Sequence, residues 1–103
     1  MSTLPLSALA PVVRSKNAGP TLLTIDLFFH DAQAYARAAG SPQLTPAAVA
    51  ALYQREAGDV QRFLLPAIQA IKFSMPRRVC AGNPGDGDVY GAQQHAALLE
   101  VRL

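Results

Sequence analysis

Cysteine, tryptophan and charge are all scarce in this sequence. Cys80 is the single cysteine among 103 residues, so an internal disulfide is excluded and a reducing, cytoplasmic setting is the simplest expectation. Tryptophan is absent and aromatic residues make up 7%, which leaves few platforms for stacking bases. The nine Lys and Arg side chains are scattered instead of forming a stripe, and the net charge is only +2, so nucleic acid is not an expected partner. Only 16% of residues are charged and half are apolar, which excludes a disordered chain. No apolar run approaches the roughly 18 residues of a membrane span, because Asp, Arg, Lys or Pro interrupts each one. The apolar start, Met1 to Val13, has no basic leader and carries Pro5 and Pro11, so it reads as an arm or short helix and not as a signal peptide. Among catalytic motifs, neither a Walker loop nor a G-x-S-x-G elbow occurs around Ser15, Ser41 or Ser74.

What is present suits one domain over residues 1–103. Arg14 to Pro20 reads as a polar turn closed by Gly19-Pro20. Thr21 to His30 is the strongest strand, with Leu23, Ile25, Leu27 and Phe29 on one face and Leu22, Thr24, Asp26 and Phe28 on the other. Asp31 caps a helix that stops at Gly40, and Thr45-Pro46 opens a second one that runs to about Gly58 with Val49, Leu52 and Tyr53 as its stripe. Val60 to Leu65 and Ala70 to Met75 read as strands, the second with Ile71, Phe73 and Met75 inward. Residues 81–91 are Gly-rich and form a loop, and Leu98 to Leu103 alternates as a last strand. This order predicts an α+β fold, a ferredoxin-like sandwich in which a mostly antiparallel four-stranded sheet carries its helices on one face.

Three stretches are similar to a known family: Val13 to Pro20, Ala70-Ile71-Lys72 running into Met75-Pro76-Arg77, and Gly85 to His95. Together they resemble an uncharacterised family of domains of about 100 residues, related to the ferredoxin-fold domain of AtuA-type (acyclic terpene utilisation) proteins. The family pattern places a proline soon after Gln93-Gln94-His95, where this chain has Ala97. The resemblance implies a companion of a larger AtuA-type catabolic protein and brings no established reaction with it.

The residues themselves suggest several sites. Arg14, Ser15, Lys16, Asn17 and Gly19 offer cations, hydroxyl, amide and backbone donors for a small carboxylate or acyl ligand; the alternative is a solvated turn. Asp86, Asp88, Tyr90, Gln93 and Gln94 offer loop contacts to a ligand or subunit, with His95 as an acid or base, or they simply brace the loop. An EF-hand register from Asp86 fails, because Tyr90 and Ala97 fall where oxygen ligands are needed, and neither metal nor cofactor is expected. Cys80 follows Arg77 and Arg78, yet reads more simply as a buried thiol. Asp26, Lys72, Ser74, Glu100 and Arg102, with Leu22, Phe28 and Leu98, should share the uncovered side of the sheet, with Asp26 as a second acid-base candidate. Such a mixed face suits a subunit interface, with simple surface charge pairing as the alternative. With the resemblance, the expected function is an accessory subunit or binding module that associates with a larger AtuA-type catabolic protein and helps form its anionic-substrate site, self-associating when alone. The competing expectation is a small stand-alone lyase or isomerase acting on a carboxylated substrate, with its site between subunits of a homo-oligomer.

Overall fold

A computed structural model describes residues 3–19, 21–76 and 96–103. Its elements in chain order are α1 (Leu6–Leu9), β1 (Val12–Asn17), β2 (Leu22–Phe28), α2 (Ala32–Ala39), α3 (Pro46–Leu52), β3 (Gln61–Leu65), β4 (Ala70–Pro76) and α4 (Ala96–Leu99). The strands form one sheet in the order β1-β2-β4-β3, and every neighbouring pair is antiparallel. It follows that β2 and β3 run parallel on either side of β4, with α2 and α3 crossing between them. This is the split β-α-β unit of a ferredoxin-like α+β fold.

Alternation decides which side of the sheet is covered. Leu23, Ile25 and Leu27 of β2 lie in register with Met75, Phe73 and Ile71 of β4, and all six are buried. Ala34 and Ala38 of α2, Val49 and Ala50 of α3, Leu44, Leu6 and Leu98 close the same core. The opposite side has no layer over it among the described residues.

Both long helices start on the caps expected from sequence. The Asp31 carboxylate accepts from Ala34 N at 2.8 Å and the Thr45 hydroxyl from Ala48 N at 3.1 Å, each worth about 1 kcal/mol. The second helix is shorter than expected. It stops at Leu52 because Gln54 takes a left-handed conformation (φ 58°), well before Gly58. Its buried stripe is Val49 and Ala50, while Leu52 is exposed and Tyr53 half-buried. Burial pushes the Tyr53 hydroxyl above its ordinary titration range, because the phenolate would lose its hydration there. Arg55 ties this end of α3 to the sheet by donating to the carbonyls of Tyr53 (2.6 Å) and Pro76 (2.7 Å).

Two further expectations are corrected. Val12–Asn17, in which Arg14 to Asn17 were expected to belong to a polar turn, is an edge strand paired with β2. Its charges are tolerated because alternate side chains meet solvent, as is common for sheet edges. Ala18 N donates to Leu22 O at 2.9 Å beyond the end of this strand, and Gly19 takes φ +108°. Leu98–Leu103 is not a strand of the sheet. Ala96–Leu99 forms a helical turn, in keeping with the helix propensity of Ala and Leu. The chain then makes one bridge, Pro5 to Arg102, with Leu6 N to Val101 O (2.8 Å) and Leu103 N to Leu4 O (2.8 Å) holding the two segments together. β1 thus fills the outer sheet position that the last strand of a β-α-β-β-α-β order would take.

Candidate functional site

The uncovered side of the sheet is a grid that the register defines. One row runs Val12, Phe28, Ala70, Leu65 across the four strands. The next runs Arg14, Asp26, Lys72, Phe63, and the third Lys16, Thr24, Ser74, Gln61. Leu22 and Pro76 begin a fourth row on the two central strands. Opposed positions sit about 5 Å apart at Cβ, so Asp26 lies between two cations as near neighbours. The Arg14 guanidinium also lies over the Phe28 ring, 5.2 Å from its centroid, a cation–π contact on the diagonal. Thr24 is sunk between its neighbours and its hydroxyl donates to Lys16 O at 3.4 Å.

Asp26, Lys72 and Ser74 share this side as expected, with Leu22 and Phe28. Three other residues do not. Leu98 is wholly buried in the core. Glu100 and Arg102 lie outside the sheet, where the Arg102 guanidinium donates to the Thr3 hydroxyl (2.9 Å) and carbonyl (2.8 Å). The Arg14-to-Gly19 group is divided by the strand. Arg14 and Lys16 face the open side, Ser15 is buried on the helix side, Asn17 shares that side, and Gly19 sits in the turn. Arg77, Cys80, Asp86, Asp88, Tyr90, Gln93, Gln94 and His95 lie outside the described residues.

Exposed apolar area collects on the same face. Of the eight large hydrophobic side chains exposed among the described residues, Val12, Leu22, Phe63 and Leu65 are on this grid. Phe63 is 44% exposed although it stands beside Lys72 in the middle of the sheet's length. Phe63 and Leu65 were not singled out from sequence, because only the pairing of β3 with β4 reveals which face they occupy.

A second feature lies at the carboxyl end of β2. A cleft of about 380 Å³ is lined by Leu9, His30, Asp31, Gln33, Ala34 and Arg37. Two of its polar groups already serve the fold, since Asp31 caps α2 and Arg37 donates to Leu103 O at 2.6 Å. His30 and Gln33 supply its remaining polar side chains. The sequence signal for this cleft was the His30-Asp31 pair at a strand-to-helix junction, followed by Gln33 and Arg37 at i, i+4 spacing. Among the described residues no cluster of three His, Cys, Asp or Glu could hold a metal ion, and no helix is long and apolar enough to cross a membrane.

A family model described as "Domain of unknown function (DUF4387)" matches residues 6–102. No curated protein and no solved structure matches the chain.

Proposed function

We propose, from the premise that this chain belongs to the family described as Domain of unknown function (DUF4387), that it is a protein-interaction module, an accessory subunit that works by laying the open face of its sheet against another polypeptide. One observation carries the reading: half of the exposed large apolar side chains gather on the uncovered face, around the Arg14-Asp26-Lys72 row. A face meant only for water would carry polar residues at those positions, whereas apolar area rimmed by charge is the composition of an interaction surface. The resemblance to AtuA-type ferredoxin-fold domains supports assembly with a larger AtuA-type catabolic protein in the cytoplasm. There Arg14 and Lys16 would bring positive charge to the site of an anionic substrate, a small carboxylate or acyl compound.

Purification of the tagged chain from its native host, with the mass of the intact complex measured, tests the reading. The wild type should be recovered in an assembly larger than one chain, and Phe63→Glu should be recovered as a monomer. Leu52→Glu, an exposed apolar position away from the grid, should leave the assembly unchanged. Recovery of Phe63→Glu in the same assembly as wild type would overturn the proposal.

A second reading, a small lyase or isomerase acting on a carboxylated substrate, is favoured by the cleft at the end of β2. There the His30 imidazole would move a proton near the Arg37 cation. In that case His30→Gln should abolish turnover while Phe63→Glu monomers lose it only if the site spans two subunits. Retained turnover in His30→Gln would remove this mechanism.

A further inference from the structure

Resting on the docking reading, we infer that when the chain is alone, without a larger partner, the occupant of the open face is a second copy of this chain, related by a two-fold axis that runs parallel to the strands between β2 and β4. That operation sets β1 over the partner's β3 and β2 over the partner's β4. Applied to the observed register, it lays Asp26 opposite the partner's Lys72, twice by symmetry. It also lays Arg14 over the partner's Phe63 ring and Val12 over the partner's Leu65. Phe28 falls above the partner's Ala70 and Thr24 above the partner's Ser74, Ala70 and Thr24 being sunk between their own neighbours, while Lys16 faces the partner's Gln61 and Leu22 the partner's Pro76. Every row is matched in kind: charge to opposite charge, cation to aromatic face, apolar to apolar, polar to polar. An isologous interface requires this self-complementarity of one patch with itself.

The other face-to-face two-fold runs across the strands and sets each strand over its own copy. Centred on the charged row, it opposes Asp26 to Asp26 and Lys72 to Lys72. Centred between the Arg14 and Lys16 rows, it opposes Arg14 to Lys16. Centred between the Val12 and Arg14 rows, it sets Asp26 against Phe28 and Lys72 against Ala70, which dries both charges against apolar groups. Like charges together and charges without an opposite partner are both unfavourable, whereas the axis along the strands gives Asp26 and Lys72 opposite partners.

Facing sheets pack about 10 Å apart and about 30° from parallel, so positions far from the axis are displaced most. Asp26 and Lys72 lie on the two strands beside the axis, where their pairing survives that rotation. The grid spans four strands about 4.8 Å apart and up to seven residues at about 3.3 Å, or roughly 440 Å² on each copy. The total of roughly 880 Å² is below the range of stable specific interfaces and in that of weak, transient ones, so the dimer should be reversible and dissociate on dilution.

Sedimentation of the full chain over a concentration series tests this directly. Wild type should pass from monomer to dimer, while Asp26→Lys and Lys72→Asp should each weaken dimerisation more than tenfold. Mixing these two variants one to one should then restore a dimer of the wild-type mass. In the mixed pair the introduced lysine of one chain meets the introduced aspartate of the other, and the unchanged Lys72 of the first meets the unchanged Asp26 of the second. Two folded variants that stay monomeric when mixed would overturn the two-fold. Should circular dichroism show either single variant unfolded, the double variant carries the same test. It keeps opposite charges side by side within each chain, and a folded but monomeric double variant would overturn the inference. Wild type that stays monomeric throughout also overturns it. The docking reading would survive that result if the native-host complex still depended on Phe63, and would fail with it if that complex were absent.

Discussion

Replacing Phe73 by alanine is expected to lower stability by about 3–5 kcal/mol, the largest single effect in the molecule. Phe73 has no exposed surface and stands at the middle of β4, opposed to Ile25 on β2 and Arg62 on β3, with Ile71 and Met75 on the same side of its own strand. The cost has two parts, the lost transfer of an aromatic side chain and the void that remains. A central strand cannot move to fill that void without breaking its ladder on both sides. A domain of this size has about 5–15 kcal/mol in total, so a melting-temperature drop on the order of 15–30 °C should follow. Thermal unfolding checks the value. A loss under about 1 kcal/mol would mean that the helix layer does not cover this side of the sheet.

Leu98→Ala should cost about 2–5 kcal/mol, measured by urea unfolding. This second prediction separates two structures for the same segment. On a strand with Leu98 pointing to the open side, the change would fall within about 0.5 kcal/mol of neutral. In the observed fold Leu98 lies on α4, has no exposed surface, and joins Leu6 of α1 in the core. The backbone pairings of Leu4 and Leu6 with Leu103 and Val101 hold these two short helices against one another. Neither helix, at four residues each, would persist alone. Their stability comes from this shared burial, so removing Leu98 should release both ends of the chain together.

The weak link between α1 and α4 also bears on the cleft at the end of β2. Leu9 lines it from α1, His30 N donates to Leu9 O at 3.3 Å, and Arg37 reaches Leu103 O. The amino-terminal segment therefore forms one wall of the cleft, and the carboxyl-terminal segment braces it through Arg37. The open sheet face is on the opposite side of the sheet from the helices, and it depends on the β1-β2 and β3-β4 hairpins instead. Losses of assembly and losses at the cleft are for this reason separable by mutation.

Where local pattern and local chemistry agree, the amino-acid sequence was sufficient. The β2 alternation of Leu23, Ile25 and Leu27, the same period in Ile71, Phe73 and Met75, and the caps at Asp31 and Thr45 are each fixed by residues within one or two turns or a single strand. From these followed the α+β class and an antiparallel sheet with one buried side. Two segments escaped because their local signals pointed elsewhere. Arg14-Ser15-Lys16-Asn17 is polar enough to resemble a turn, and becomes a strand only because β2 offers it a ladder and one of its sides stays in water. Leu98 to Leu103 alternates like a strand, yet burial against Leu6 rewards a helical turn at Ala96–Leu99.

The candidate site divides along the same line. That Asp26 lies mid-strand and needs a partner was legible from its neighbours alone. That Arg14 and Lys72 flank it, that Phe63 and Leu65 share its face, and that His30 and Arg37 meet Leu9 across a cleft are consequences of pairings between residues far apart in the chain. Period-2 alternation tells which residues of one strand stand together. Which strands lie side by side, and in what register, is set by how the whole core closes, and a shift of one residue would have turned each of these groups to the other side.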